Sequence, residues 1–597
     1  MKRNIVRYIL CLLFVIPMTG CEDFLTQVNP NEISTDNYWR NLRECESGLI
    51  AVYNQLRNTG MMAVGAETNR SDLAYPGYGR PNATNEYYLQ TFTDGSAAVN
   101  GKWDALYKGI FRANQVIRGL NGIEDDMITD DDVEKWHILM AEARFFRGLF
   151  HFYAHSTFNF GKIIIYDFVP EEEKEFYQPL SSSEDVKAFF RADLEYAREY
   201  LPLYRTEYKD DGTPSDPQMA GRIAKGAATS ILGTSYLYEE DFDKAAKYFE
   251  EVLESGVYQL AHVSENSTSH GEFNQESILE IAYDLTYKIE ESPWSPKSTK
   301  NTYAAEFSPV GGWRASLPSC WLIMAFREDA PDPTDSRNII TYMGEDPSTG
   351  EPIELNRVRD YSLRTSYSLA LVDDRDLPYY NATTAQAAGF NNLETGYFRK
   401  FTNWDITENE TSLNQQSGIN YRLLRLADIY LMYAEALIKG GNGGDVAKAI
   451  EYINEVRYRS ALILLGTAPD VNHPGSSFDG ITYNAKSLMD HLMYKERPLE
   501  LCLEGYAIRQ IDMRRWGITK RRFEDLSKQI YHGENYEFID QDGAVQTRWG
   551  SVLTEGPNSG FPEKNMIDFQ EAATNYNERM HSYFPIPNSE TTANPNL

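Results

Sequence analysis

Apolar positions fall at helical spacing along most of the chain, and the clearest run spans Arg222 to Tyr258. Ile223, Ala224, Ala227, Ala228, Ile231, Leu232 and Ser235 form one face rich in small residues. Glu239, Glu240 and Asp241 interrupt it, and Ala245, Ala246, Phe249, Val252 and Leu253 mark a second helix. So short a turn predicts an antiparallel pair. A looser copy runs from Leu424 to Ser460, broken at Gly440–Gly444, with Asp445 placed to cap its second helix. Two more pairs are predicted, Trp136–Ser156 with Glu184–Leu201, and Ser487–Trp516. Asp36–Asn58 and Trp103–Leu120 also read as helices, and Gly161–Phe168 as a short extended piece.

Leu232, Gly233 and Tyr236, followed by Ala245 and Phe249, have the spacing of a tetratricopeptide repeat, although Thr229 and Val257 replace its usual Trp and Pro. One such hairpin cannot bury its face alone, so several must stack. The predicted fold is mainly α: repeat-type helices near 103–156, 184–258, 424–460 and 487–516. Two irregular stretches, 61–100 and 285–421, are rich in Gly, Pro, Asn and aromatic residues. Their aromatic content argues for folded, ligand-facing segments and against disorder.

The first 20 residues read as an address. Lys2, Arg3 and Arg7 precede an apolar run, Tyr8–Met18, shorter than the roughly 20 residues that span a bilayer. Met18, Thr19 and Gly20 then lead into Cys21, the pattern of a lipoprotein signal, with Met18 where Leu is usual. The body would then span 21–597, lipid-anchored through Cys21. Cys45, Cys320 and Cys502 are widely spaced, form no metal knuckle or disulfide framework, and are expected to be small buried residues.

The chain has 597 residues and a formal charge of −31, which disfavours nucleic acid and strongly anionic ligands. Catalytic and metal motifs fail on spacing. Gly95–Trp103 resembles a phosphate loop but has one residue too many, and Trp103 stands where a magnesium-binding hydroxyl belongs. His151 and His155 share a helix face without the Glu of a zinc protease, and Phe150, Phe152 and Phe158 surround them. There is no GxSxG elbow. Acidic clusters at 124–132, 329–335 and 373–376 miss the calcium-loop spacing and read mostly as turns and caps, with room for one structural calcium ion. A glycosidase pair among 88 acidic residues stays open, because only separation in space would reveal it. Glu496, Arg497, Glu504, Arg509, Asp512 and Arg515 are expected to form local ion pairs along helices.

Several short motifs, in order, resemble the SusD/RagB family of Bacteroidetes surface lipoproteins. They are Cys21–Leu25 with Asn29 and Pro30; Trp103, Tyr107, Ile110, Ala113 and Asn114; and Ala141–Arg147 with Phe160 and Gly161. They continue through Arg425–Ala436; Ile453, Asn454, Val456, Arg457 and Arg459; and Glu496, Arg497, Glu500, Leu501, Glu504 and Gly505. Asp512, Arg515, Trp516 and Gly517 follow, then Phe584–Pro587. The Gly505–Asp512 spacing is about two residues longer than the pattern. The resemblance implies a tetratricopeptide scaffold with a large irregular inserted subdomain carrying short strands. It also implies an outer-membrane, cell-surface location, a SusC-like TonB-dependent transporter as partner, an oligosaccharide or polysaccharide ligand (a peptide in RagB-type members), and no catalytic residues or cofactor.

Sugars stack their C–H faces on rings and offer hydroxyls to amides, carboxylates and guanidiniums. The candidate platform is therefore Tyr75, Tyr78, Tyr287, Trp294 and Trp313, with Asp72, Arg80 and Asn82 as polar partners.

Overall fold

The computed structural model describes residues 38–77, 80, 82, 84–209, 211–285, 298–391, 393–406, 416–467 and 472–597. Helices carry the body. In chain order they include α1 (Leu42–Gln55), α2 (Ala97–Gly122), α3 (Asp130–Thr157), α4 (Ser183–Tyr200), α5 (Lys225–Leu237), α6 (Phe242–Glu254), α7 (Tyr303–Phe307), α8 (Cys320–Arg327), α9 (Leu426–Ile438), α10 (Val446–Arg459), α11 (Ala485–His491) and α12 (Ile508–Arg515). The helices α2 and α3, α3 and α4, α5 and α6, and α9 and α10 pack as neighbours.

The small residues of α5 explain its packing. A Cβ added to Gly233 would lie 2.7 Å from the Phe249 ring of α6, so glycine lets that ring seat against the α5 backbone. Asp241 caps α6 by accepting from Lys244 N at 3.2 Å, and Asp445 caps α10 by accepting from Lys448 N at 2.9 Å. Between α9 and α10, Gly440, Gly443 and Gly444 all have positive φ, which breaks the helix and turns the chain.

Several expectations need correction. Residues 162–167, read as a short extended piece, belong to no helix or strand; Ile163 and Ile164 are buried, and the Tyr107 hydroxyl bonds both the N–H and the C=O of Ile164. The stretch from Ser487 to Trp516 is not a simple helix pair. It passes from α11 through a π-turn to Glu500, and Ala507, at φ 51°, restarts it as α12. Two hairpins had no sequence signal: β4 (Ile339–Glu345) with β5 (Pro352–Val358), and β7 (Tyr531–Ile539) with β8 (Val545–Glu555). The remaining named strands are β1 (Ala74–Pro76), β2 (Ser277–Ile281), β3 (Ser316–Pro318) and β6 (Tyr421–Arg425).

The charged residues around 496–515 form long-range pairs, not the local i, i+3 and i+4 set expected, apart from Arg515 with Asp512. Arg364 bridges Asp329 at 2.9 Å and Glu496 at 2.5 Å. Arg425 bridges Glu276 at 2.6 Å and Glu504 at 2.5 Å, and Arg459 also reaches Glu276, at 2.9 Å. All of these side chains are buried. They bolt the irregular subdomain to the helical spine. Removing one partner of such a buried pair strands the other charge, so the joint is costly to open.

The three body cysteines are free and buried. The two imidazoles of α3 are held separately: His151 Nδ1 lies 2.8 Å from the Arg147 carbonyl, and His155 Nε2 lies 2.8 Å from the Ser183 hydroxyl. Burial pushes both down to about 4. The acidic clusters also have protein partners: Asp329 pairs with Arg364, Asp335 with Arg337, Asp373 with Arg327 and Asp376 with Arg357. Among the described residues, no group of three His, Cys, Asp or Glu is arranged to hold a metal ion.

Candidate functional site

The two irregular stretches meet. β1, from the first, pairs antiparallel with β3, from the second, setting Tyr75 opposite Leu317 and Pro76 opposite Ser316. Gly77 N extends the ladder to Ala315 O at 2.9 Å. A Cβ on Gly77 would stand 1.9 Å from the Arg314 carbonyl oxygen, so only glycine permits this approach.

The junction presents Trp313 on a tight turn. Gly311 and Arg314 adopt positive φ, at 66° and 49°. Trp313 N donates to Ala305 O at 2.6 Å and Ala315 N to Glu306 O at 2.7 Å, tying the turn to α7. A Cβ on Gly312 would press to 2.5 Å from the Ser308 carbonyl oxygen. The Trp313 ring remains 39% exposed on this braced turn. Beside it, Arg314 Nε lies 3.4 Å from Glu394 Oε1, and Glu394 is itself buried, accepting from the Tyr397 hydroxyl at 2.7 Å. Arg314 was not among the residues singled out from sequence. Its neighbour Trp313 was the available signal.

The other candidates divide. Asp72 is fully buried, with Arg509 on both oxygens at 2.7 Å and Arg522 Nε at 2.8 Å. Burial alone would raise its pKa, but the two guanidiniums outweigh it and hold the carboxyl below its usual range. Tyr75 is also buried, packed edge-on to Tyr88 at 5.0 Å, and its hydroxyl accepts from Asn82 N. Arg80 lies 3.9 Å from the Tyr75 ring centroid and pairs with Asp568. The Asn82 side chain accepts from Thr84 N and Asn85 N, both at 2.9 Å, and donates to Gly77 O at 3.2 Å, an Asx-type turn. As direct ligand groups, Asp72 and Tyr75 are thus corrected to interior supports, because their polar atoms are already bonded within the protein. Arg80 and Asn82 brace the same loop. Tyr78, Tyr287 and Trp294 lie outside the described residues, as does Cys21.

A second exposed indole had no counterpart in the sequence reading. Trp549, 74% exposed, sits where the β7–β8 register shifts between Arg548 and Val552. The hairpin docks on the irregular subdomain through Arg548 Nε to Ala385 O at 2.7 Å. An open cavity of about 390 Å³ lies between α5 and α6, and its lining includes Lys225, Lys247, Glu250 and Glu251. Its mixed charge suits a polar surface more than a pyranose face.

A sequence model of the SusD family matches residues 275–597, more than half of the chain. The chain belongs to the SusD family. A curated relative, SusD-like protein P38 of Formosa agariphila, is 23% identical over 522 residues, covering 84% of this chain and 90% of its own. Among solved structures, a SusD superfamily protein of Bacteroides vulgatus superposes with TM-score 0.67 at 20% identity, covering 94% of this chain and 98% of the other. A SusD-like carbohydrate binding protein of Bacteroides fragilis gives TM-score 0.64 at 21% identity, covering 94% and 99%. The helical, tetratricopeptide-like scaffold with small strands described above is therefore the SusD fold. Among the described residues, no helix is long and apolar enough to cross a membrane.

Proposed function

We propose that this SusD-family chain is a cell-surface glycan-binding protein. It is anchored through a lipid on Cys21 and delivers oligosaccharide to a SusC-like TonB-dependent transporter. The observation that carries the reading is the braced Trp313 turn at the junction of the two irregular segments, on a fold shared with a carbohydrate binding protein. A ring held on a stiff backbone can receive a sugar face with little ordering cost, and Arg314 beside it supplies donors for hydroxyls. Tyr78, Tyr287 and Trp294 remain proposed companions of Trp313. Arg80 and Asn82 brace the loop that follows β1, through the Tyr75 ring and the Gly77 carbonyl. The protein is read as a binder, and no catalytic residue is assigned. The test is calorimetric titration against a panel of oligosaccharides and peptides. Saturable binding of a glycan that weakens in Trp313→Ala supports the reading; binding of peptides alone, or new reducing ends from an intact polysaccharide, overturns it.

A further inference from the structure

A small aromatic pocket lies away from the Trp313 junction. α2 supplies Tyr107 and Phe111 to it, the segment after α3 supplies Tyr166, Phe168 and Phe176, and the C-terminal end of the chain supplies Glu590. Its volume, about 140 Å³, is well below the roughly 300–1,000 Å³ of a drug-sized site and suits a single head group. The tyrosine hydroxyls are already engaged. Tyr107 bonds both backbone groups of Ile164, and the Tyr166 hydroxyl donates to Phe176 O at 2.6 Å. The walls therefore offer ring surface and no free hydroxyl. Tyr166 stands edge-on to Tyr107 at 5.9 Å and to Phe168 at 6.0 Å. Phe168 and Phe176 are 37% and 46% exposed, so two of the rings are open to solvent.

Glu590 gives the pocket its sign. Its two oxygens accept only from neutral donors, Trp103 Nε1 at 3.1 Å and Asn594 Nδ2 at 3.3 Å. Among the described residues no Lys, Arg or His pairs with it, whereas the nearby Glu171 and Glu172 have Arg118 and Lys174. Burial, with the charge of Glu590 adding to it, pushes the Tyr166 phenol up to about 12. A carboxylate with no cationic partner among the described residues, beside five aromatic rings, attracts a cation, and the acidic body adds to that field.

We propose that this pocket binds a quaternary ammonium head group of choline size. A primary ammonium is compact and strongly hydrated, and the ring faces that make up most of these walls cannot replace the water it would lose. A quaternary ammonium has no N–H to satisfy and spreads its charge over methyl groups that fit ring faces.

The probes are choline chloride, its neutral isostere 3,3-dimethylbutan-1-ol, and ethanolamine, each titrated into the purified protein by calorimetry. Choline should bind about tenfold more tightly than either comparison compound. Glu590→Gln keeps an acceptor for Trp103 Nε1 but removes the charge, and should weaken choline about tenfold. Phe176→Leu, at an exposed position, removes one ring and carries the test if Glu590→Gln melts early. No choline binding, equal binding of the isostere, tighter binding of ethanolamine, or unchanged choline binding in the folded variants would each overturn the proposal.

Discussion

Asp72 and Arg509, 437 positions apart, form a two-point ion pair in the protein interior, with Nε and Nη2 each 2.7 Å from a carboxylate oxygen. Arg522 adds a third bond at 2.8 Å. This triad fastens the start of the first irregular stretch to α12 and the helix after it, immediately before the chain enters β1. Its role is architectural, since every carboxylate oxygen is bonded within the protein interior.

Asp72→Ala should therefore cost about 3–5 kcal/mol of stability, because it strands two guanidiniums in a dry site. Urea unfolding followed by circular dichroism reads this directly. A variant that melts like the wild type but no longer binds glycan would return Asp72 to the ligand set.

What the sequence showed and what it hid follow from the range of the interactions. The pairing of α5 with α6 was legible because Gly233 and Phe249 meet within one local hairpin, at a spacing that repeats. The fate of Asp72 was not, since its partners are 437 and 450 residues away and a carboxylate in a Gly- and Tyr-rich loop looks the same whether buried or exposed. The β1–β3 junction was hidden for a similar reason. Its strands have three residues each and both contain Pro, so neither shows an alternating pattern. The β7–β8 hairpin is largely exposed, which erases the contrast between faces that a periodicity argument needs. Trp313 was legible as a ring among helix breakers with no apolar stripe to join, and it does stand partly exposed.

Gly77→Ala tests whether the junction positions the site. The new methyl would overlap the Arg314 carbonyl, so the ladder from Pro76 to Ala315 must open. Glycan affinity is expected to fall at least as far as in Trp313→Ala, while the helical content measured by circular dichroism stays unchanged. Normal affinity would show that the Trp313 turn holds its place without β1.

Glu306, at the C-terminal end of α7, has its carboxyl pushed up to about 7 by burial, with the Ser316 hydroxyl pulling the other way. The folded form thus holds this proton more tightly than the unfolded chain. The stability it contributes is present below about pH 4.5 and lost as pH rises through 7. His151 and His155, pushed down to about 4, act oppositely: their contribution is present above about 6.5 and lost on acidification. A single melting curve mixes these effects, so the difference between wild type and Glu306→Gln is the useful quantity. The variant should match the wild type at pH 4.5 and exceed it by on the order of 3 kcal/mol at pH 8. A difference independent of pH would show that the carboxyl titrates normally.

Cys21→Ser tests the anchor. Loss of the only thiol at a small-residue cleavage site after an apolar run should leave the precursor unlipidated and remove it from the cell surface. Undiminished labelling of intact cells by an externally added antibody would count against Cys21.

Two tryptophans on the same protein separate binding from packing. Trp103 is buried on α2, its ring 4.3 Å from Tyr107 and 5.1 Å from Phe158, with its indole N–H on Glu590. Trp103→Ala should cost about 3–5 kcal/mol of stability. Trp313 instead stands on a surface turn, where covering one ring face with a sugar removes roughly 50 Å² of apolar surface, worth about 1.2 kcal/mol. Trp313→Ala should weaken glycan binding by about eightfold and leave the melting temperature nearly unchanged. Longer oligosaccharides should bind more tightly than short ones if Trp313 is one of several rings engaged along a chain, because each further contact is made at high effective concentration. Calorimetric titration and thermal melting on both variants give the four values needed. If Trp313→Ala binds as the wild type does, or melts as early as Trp103→Ala, the ring is a packing residue and the glycan face lies elsewhere, with the exposed Trp549 hairpin as the next place to mutate.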